Sequence, residues 1–343
     1  MTIELPVFRL GFGGFSPSQQ DVLFEAIRKS AAATHWVASE LPEADVWWMN
    51  GARVQLLGEQ RVRVGAGSPG AKSVQLYIPD VDRPVAFSLP ISTPQFVPAY
   101  SFDVGSRSSM EDVLAKMDAW LAPLEAQFCL ASHIVERQTA LGTGIFEVYL
   151  KGAVVAIVDM HGDIGVLPTL KGADLDQTVW QRKAVAATIP EHFVRTSLSL
   201  LMWHYSERSQ RDVLPSHYRL GPLYFRRPPR VPQRLLKDAH LLVMRQLAQE
   251  PTSFAGLLKK TGLAAALLLQ TLGTLYLVGT LTSNPKRAVA HQRPVRPEGE
   301  ADTVVQDLHS GLPSVIDSVP PAISRHHPDI PPDLTAPARL RIN

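Results

Sequence analysis

The sequence predicts a multidomain protein of mixed class, α/β at its start and α+β beyond it, and three observations carry that expectation. An apolar run, a helical period and several short alternating runs succeed one another in the first hundred residues. Two strand-like runs flank Lys151-Gly152 near the middle of the chain. A Leu-rich stretch of helical period fills 233–284, ahead of a Pro-rich end. A chain of 343 residues is ample for a sizeable core, and at roughly 100–150 residues per domain it divides into two or three. The composition shifts place the units at 1–100, 109–225 and 233–284, with a disordered Pro-rich tail over 285–343.

The first unit opens on the apolar run Val7–Phe12, predicted as a strand. Ser16-Pro17 then starts a helix whose apolar positions Val22, Leu23, Ala26 and Ile27 recur at helical spacing to about Ala33. Trp36-Val-Ala and Val46-Trp-Trp-Met read as strands, and Arg61-Val-Arg-Val and Val74-Gln-Leu-Tyr-Ile alternate with period two. Pro90, Pro94 and Pro98 mark a linker toward Ser109. There Ser109-Met-Glu-Asp caps a helix with the stripe Val113, Leu114, Met117, Trp120 and Leu121. Ile145–Leu150 and Ala153–Val158 around Lys-Gly predict a tight hairpin, and Val166 completes a three-stranded meander. Phe193 to Arg208 reads as a helix. In the third unit Leu235–Ala248, a short helix from Pro251 to Thr261-Gly262, and Ala264–Val278 follow one another. That order, with an extended segment after it, predicts a helix-turn-helix. The last 59 residues hold ten prolines and no period.

Composition excludes several classes. A formal charge of +2 confines any basic site to a local patch. One cysteine, Cys129, leaves no disulfide framework and no cysteine zinc finger. The start, Met-Thr-Ile-Glu-Leu-Pro, lacks the basic and apolar regions of a secretory signal, so the expected location is cytoplasmic. Gly262 to Pro285 carries no charge and is flanked by Lys259-Lys260 and Lys286-Arg287. Its apolar part approaches the roughly 20 residues that span a bilayer, but Gln270, Thr271, Gly273 and Thr274 favour a helix buried in a domain.

The element order of residues 6–100, with Ala44-Asp-Val-Trp-Trp-Met and the Arg83-Pro-Val region, resembles a receiver domain of the response-regulator type. The resemblance implies paired acids after the first strand, a phosphorylated Asp ending the third and a late Lys. Here Gly13-Gly-Phe, Asn50 and Arg83 stand in those regions. What it then implies is a degenerate receiver that docks partners and accepts no phosphoryl group. The last helices resemble a winged-helix domain. Its DNA-reading residues would be Lys259, Lys260 and Gln270, yet Ala264–Val278 offers only Gln270 toward bases, which favours protein contact or a homodimer.

No catalytic residue, cofactor or metal site emerges. Gly11-Phe-Gly-Gly-Phe-Ser breaks the dinucleotide spacing at Ser16, and Asp159-Met-His-Gly-Asp163 has the residue types of a hairpin turn. The informative stretch is Tyr218–Lys237, which holds Arg219, Arg226, Arg227, Arg230, Arg234 and Lys237 with no acid. Arginine suits bidentate phosphate contact and stacking, and Pro228, Pro229 and Pro232 hold the backbone extended. Arg226, Arg227, Arg230 and Arg234, with Tyr224, are therefore the candidate anion or nucleotide site. Arg230-x-x-x-Arg234 is similar to the opening of the PilZ type of cyclic-di-GMP receptor, whose second motif is missing. An interdomain linker paired with neighbouring acids is the alternative. The expected function is a non-enzymatic bacterial signalling or regulatory scaffold working through protein contacts. A nucleotide-responsive effector is the second reading, and a DNA-binding regulator the third.

Overall fold

The computed structural model describes residues 4–29, 35–185 and 188–288; the tail expected to be disordered lies almost wholly outside them. The chain is mixed α/β, with one parallel sheet and several antiparallel ones. Its first unit runs β1 (Val7–Gly13), α1 (Pro17–Lys29), β2 (His35–Ser39) and β3 (Val46–Met49). Three further strands follow, β4 (Val54–Gly58), β5 (Arg61–Val64) and β6 (Val74–Tyr77), then β7 (Val85–Leu89) and β8 (Tyr100–Asp103). The parallel sheet has the order β2-β1-β3-β7-β8. β8 occupies the stretch expected to be a linker, because Tyr100 to Asp103 pair along β7 from Ala86 to Leu89.

α1 and the first half of α2 (Arg107–Glu136) bury Leu23, Ile27, Val113 and Met117 with Phe8, Leu10 and Trp48 of the sheet. The antiparallel β4-β5-β6 meander takes the place of helices on the other side, burying Val62, Val64 and Leu76 with Met49 and Phe87. Helix α2 is longer than its stripe indicates. Ser106 is its N-cap, accepting from the Ser109 N–H, so the cap lies one turn before the expected Ser109. Its thirty residues include Pro123. Beyond that proline Phe128, Leu130 and Ile134 enter a second core.

That core is built on the sheet β12-β9-β10-β11-β13. After the short α3 (Gln138–Leu141) come β9 (Ile145–Leu150), β10 (Ala153–Asp159) and β11 (Asp163–Val166), the expected meander. Lys151 and Gly152 both hold positive φ, 51° and 86°, the backbone a twisted two-residue hairpin needs. The short α4 (Gly172–Leu175), β12 (Val179–Lys183) and β13 (Val194–Ser197) follow, and β12 and β13 widen the meander to five strands. The helix expected from Phe193 therefore starts late. Val194–Ser197 pair along β11, and Ser197 accepts from the Leu200 N–H to cap α5 (Leu198–Arg208).

The short α6 (His217–Leu220) leads to β14 (Pro222–Phe225), then α7 (Asp238–Gln249), β15 (Thr252–Ser253), α8 (Phe254–Thr261), α9 (Ala265–Leu277) and β16 (Leu281–Thr282). Ser253 caps α8 by accepting from Gly256 N–H, and Gly262 ends it at φ 67°, a left-handed stop that glycine adopts without a Cβ penalty. β14 joins β15 and β16 in a small sheet, so part of the stretch expected to be linker is strand. α9 packs on α5 and α7 and buries Leu268, Leu272 and Leu275 in the second core. Among the described residues no helix is long and apolar enough to cross a membrane.

Candidate functional site

In an open parallel sheet the carboxyl ends of the strands are where ligands sit; here those of β1, β3 and β7 end in Gly13, Met49-Asn50 and Leu89. Asn50 is consumed by the fold. Its Nδ2 donates to Gly14 O at 3.0 Å, its Oδ1 accepts from Ala52 N at 3.1 Å, and its N–H donates to Gly13 O at 2.9 Å. Gly51 N–H donates to Ser88 Oγ, and a Cβ on Gly51 would stand 1.9 Å from Ser88 O. Arg83 stands at the opposite, amino end of β7, where it donates to Asp82 and to the Ala44 carbonyl and lies over the Trp47 ring.

The arginine stretch divides in two. Tyr224 and Phe225 of β14 pair with Thr282 and Leu281 of β16. Leu223 is buried and Phe225 packs on the core; Tyr224, between them, faces the other side of the strand and is half-buried. Arg226 N–H continues the ladder, donating to Thr280 O at 2.8 Å. The guanidinium groups of Arg226 and Arg227 meet over the turn at Gly279, whose φ is 70°. A Cβ on that glycine would lie 3.2 Å from Arg227 Nη2 and 3.8 Å from Arg226 Nη1. Burial first, and then the charges of Arg226 and Arg230, pull the Arg227 pKa below its ordinary value. Arg227 Nε and the adjacent Thr280 Oγ1 are buried without a hydrogen-bond partner. Among the described residues no carboxylate forms an ion pair with Arg226, Arg227 or Arg230. Three like charges thus stand close together beside an N–H that has no partner.

Arg234 stands elsewhere. With Lys237 it lines a cleft of about 420 Å³ between the first unit and α5. The structure thus brings together Arg226, Arg227 and Arg230 and assigns Arg234 to a different surface. The cleft was beyond sequence reasoning, since Asp45 and Arg208, which meet across it at 2.5 Å, are 163 residues apart.

Lys259 and Lys260 are exposed in the last turn of α8, and Lys260 pairs with Glu250. Gln270 is exposed on α9, in company with Ala265, Ala266 and Leu267. That face carries no cation. Asp159 Oδ1 accepts from His161 N–H inside its own turn, and no group of three metal-ligating side chains occurs among the described residues. Comparison with family models, curated proteins and solved structures finds no match.

Proposed function

We propose that the protein is a non-enzymatic regulatory protein whose input is a phosphate-bearing ligand, a cyclic dinucleotide or another nucleotide, held by Arg226, Arg227 and Arg230. The observation that carries this is the convergence of two guanidiniums over Gly279, with a third nearby, where among the described residues no carboxylate pairs with them. Charge held apart from counter-charge is costly, and an anion of two or more phosphates offsets that cost with bidentate hydrogen bonds.

The same reading takes the first unit as a degenerate receiver. Setting aside the inserted meander, the order β2-β1-β3-β7-β8 becomes 2-1-3-4-5, the order of flavodoxin-like sheets. The helix–strand–helix–helix–strand run from α7 to β16 supports a winged-helix-like module. A scaffold role through α9 is the second reading, favoured by Leu267, which is 44% exposed beside Ala265 and Ala266. Such a face suits a protein partner or a second copy better than DNA.

A thermal-shift screen at low salt tests the ligand reading with cyclic dinucleotides, nucleoside triphosphates with magnesium, and duplex DNA. A phosphate ligand at a hundredfold its Kd is expected to add about 2.7 kcal/mol of stability, and Arg227→Ala to abolish the shift. A shift of equal size in the variant, or none with any phosphate compound, overturns the proposal.

A further inference from the structure

The cleft between the first unit and α5 has an apolar wall and a rim of both charges. Trp120 and Leu124 come from α2, Leu200 from α5, and Leu235 from the turn ahead of α7. At its rim His204, Glu207 and Lys237 stand close together. His204 Nδ1 is 3.9 Å from Glu207 Oε2, and Lys237 Nζ is 3.8 Å from Glu207 Oε1. Both separations exceed hydrogen-bond length. His204 Nδ1 is buried and has no hydrogen-bond partner. Burial, then the charges of Arg208 and Arg234, hold the imidazole pKa down to about 4, so at neutral pH the ring is uncharged. With its proton on Nε2 it offers Nδ1 as an acceptor.

A neutral nitrogen and a carboxylate oxygen separated by 3.9 Å are bridged by one ammonium nitrogen about 2.9 Å from each. The Lys237 ammonium lies on the other side of the same carboxylate, where it and Arg234 face the cleft. A free anion entering here would meet Glu207, and a free cation would meet Lys237. A molecule carrying both charges satisfies both, and an apolar body covers the wall. The volume, about 420 Å³, falls within the range of small-molecule pockets.

We infer that this cleft binds a zwitterion with an apolar side chain, an α-amino acid of the leucine or phenylalanine kind. Its ammonium sits on Glu207 and His204, its carboxylate faces Lys237, and its side chain lies against Trp120, Leu124, Leu200 and Leu235. The cleft is separate from the proposed phosphate site, because none of Arg226, Arg227 and Arg230 lines it.

Calorimetric titration of the full chain tests it with L-phenylalanine and L-leucine, beside 2-phenylethylamine, which lacks the carboxylate, and 3-phenylpropionate, which lacks the ammonium. Saturable binding of an amino acid is expected, at least tenfold tighter than either phenyl analogue. Glu207→Gln should weaken it at least tenfold. Leu235→Trp, which fills the cleft without touching a charge, should abolish it, and Arg227→Ala should leave it unchanged. No binding of either amino acid overturns the inference. So does equal binding of either analogue, or unaltered affinity in Leu235→Trp.

Discussion

Asp45 and Arg208 show how strongly single residues tie the first unit to the rest. Asp45 accepts from the Arg9 N–H at 2.9 Å and from Arg208 Nη2 at 2.5 Å, and the two side chains are only 11% and 9% exposed. Removing one partner of such a pair strands a buried charge, which costs about 3–5 kcal/mol. Asp45→Ala should therefore lose stability on that scale in urea unfolding. Asp82→Ala, which breaks the exposed end of the Arg83 pair, should lose about 1 kcal/mol or less. Equal losses would show that the Asp45 pair is not held out of water. Histidines act at the same scale. Burial lowers the pKa of His204 and His240 to about 4 and shifts His133 in the same direction. The unfolded chain protonates near pH 6.5 and so binds more protons below it. Stability should be at its full value above pH 7 and fall as pH drops from about 6.5 toward 4. A melting temperature that rises between pH 7 and pH 5 would contradict this.

The elements legible in the sequence were those whose pattern is local. The hairpin at Lys151-Gly152 could be read because two positive φ angles demand a glycine next to two β-branched runs. Its first position is held by lysine, which prefers negative φ. Lys151→Asn should raise stability by a few tenths to about 1 kcal/mol, since asparagine tolerates that conformation; a lowered melting temperature would refute the turn assignment. α2 was legible only as far as Leu121. Pro123 reads as a stop, and beyond it the helix is buried from Ala126 to Ile134, so no polar face remains to give a period. β8, β12 and β13 escaped for a related reason. Each is four or five residues long, and register with a neighbour, rather than internal alternation, makes them strands. The Phe193–Arg208 segment shows the same effect, its first residues drawn into the sheet by β11.

On the scale of the whole molecule two cores share one helix, Met110 to Leu121 of α2 in the first and Ala126 to Ile134 in the second. The C-terminal end of α5 completes the junction. Tyr205 Oη, Ser209 Oγ and the Gln210 N–H all donate to the Glu4 carboxylate, and Arg9 donates to Glu207 O. These partners lie about two hundred positions apart, so no spacing in the sequence encodes them, and the cleft that Arg9 and Glu207 line was invisible there. The arginine stretch was visible as composition. Its division between the Gly279 turn and the cleft was not, because that depends on the pairing of β14 with β16 and on where the chain turns toward α7. Both sites adjoin the second core, where α5, α7 and α9 pack together.

Calorimetric titration of the full chain with inorganic pyrophosphate tests whether the arginines at the Gly279 turn receive an anion. Wild type and Arg227→Ala should be compared at low and raised salt, with the melting temperature of each recorded. Saturable binding to wild type that weakens with salt is expected, with at least tenfold weaker binding to a variant that melts at the same temperature. Indistinguishable affinities, or no binding to the wild-type chain, would contradict it.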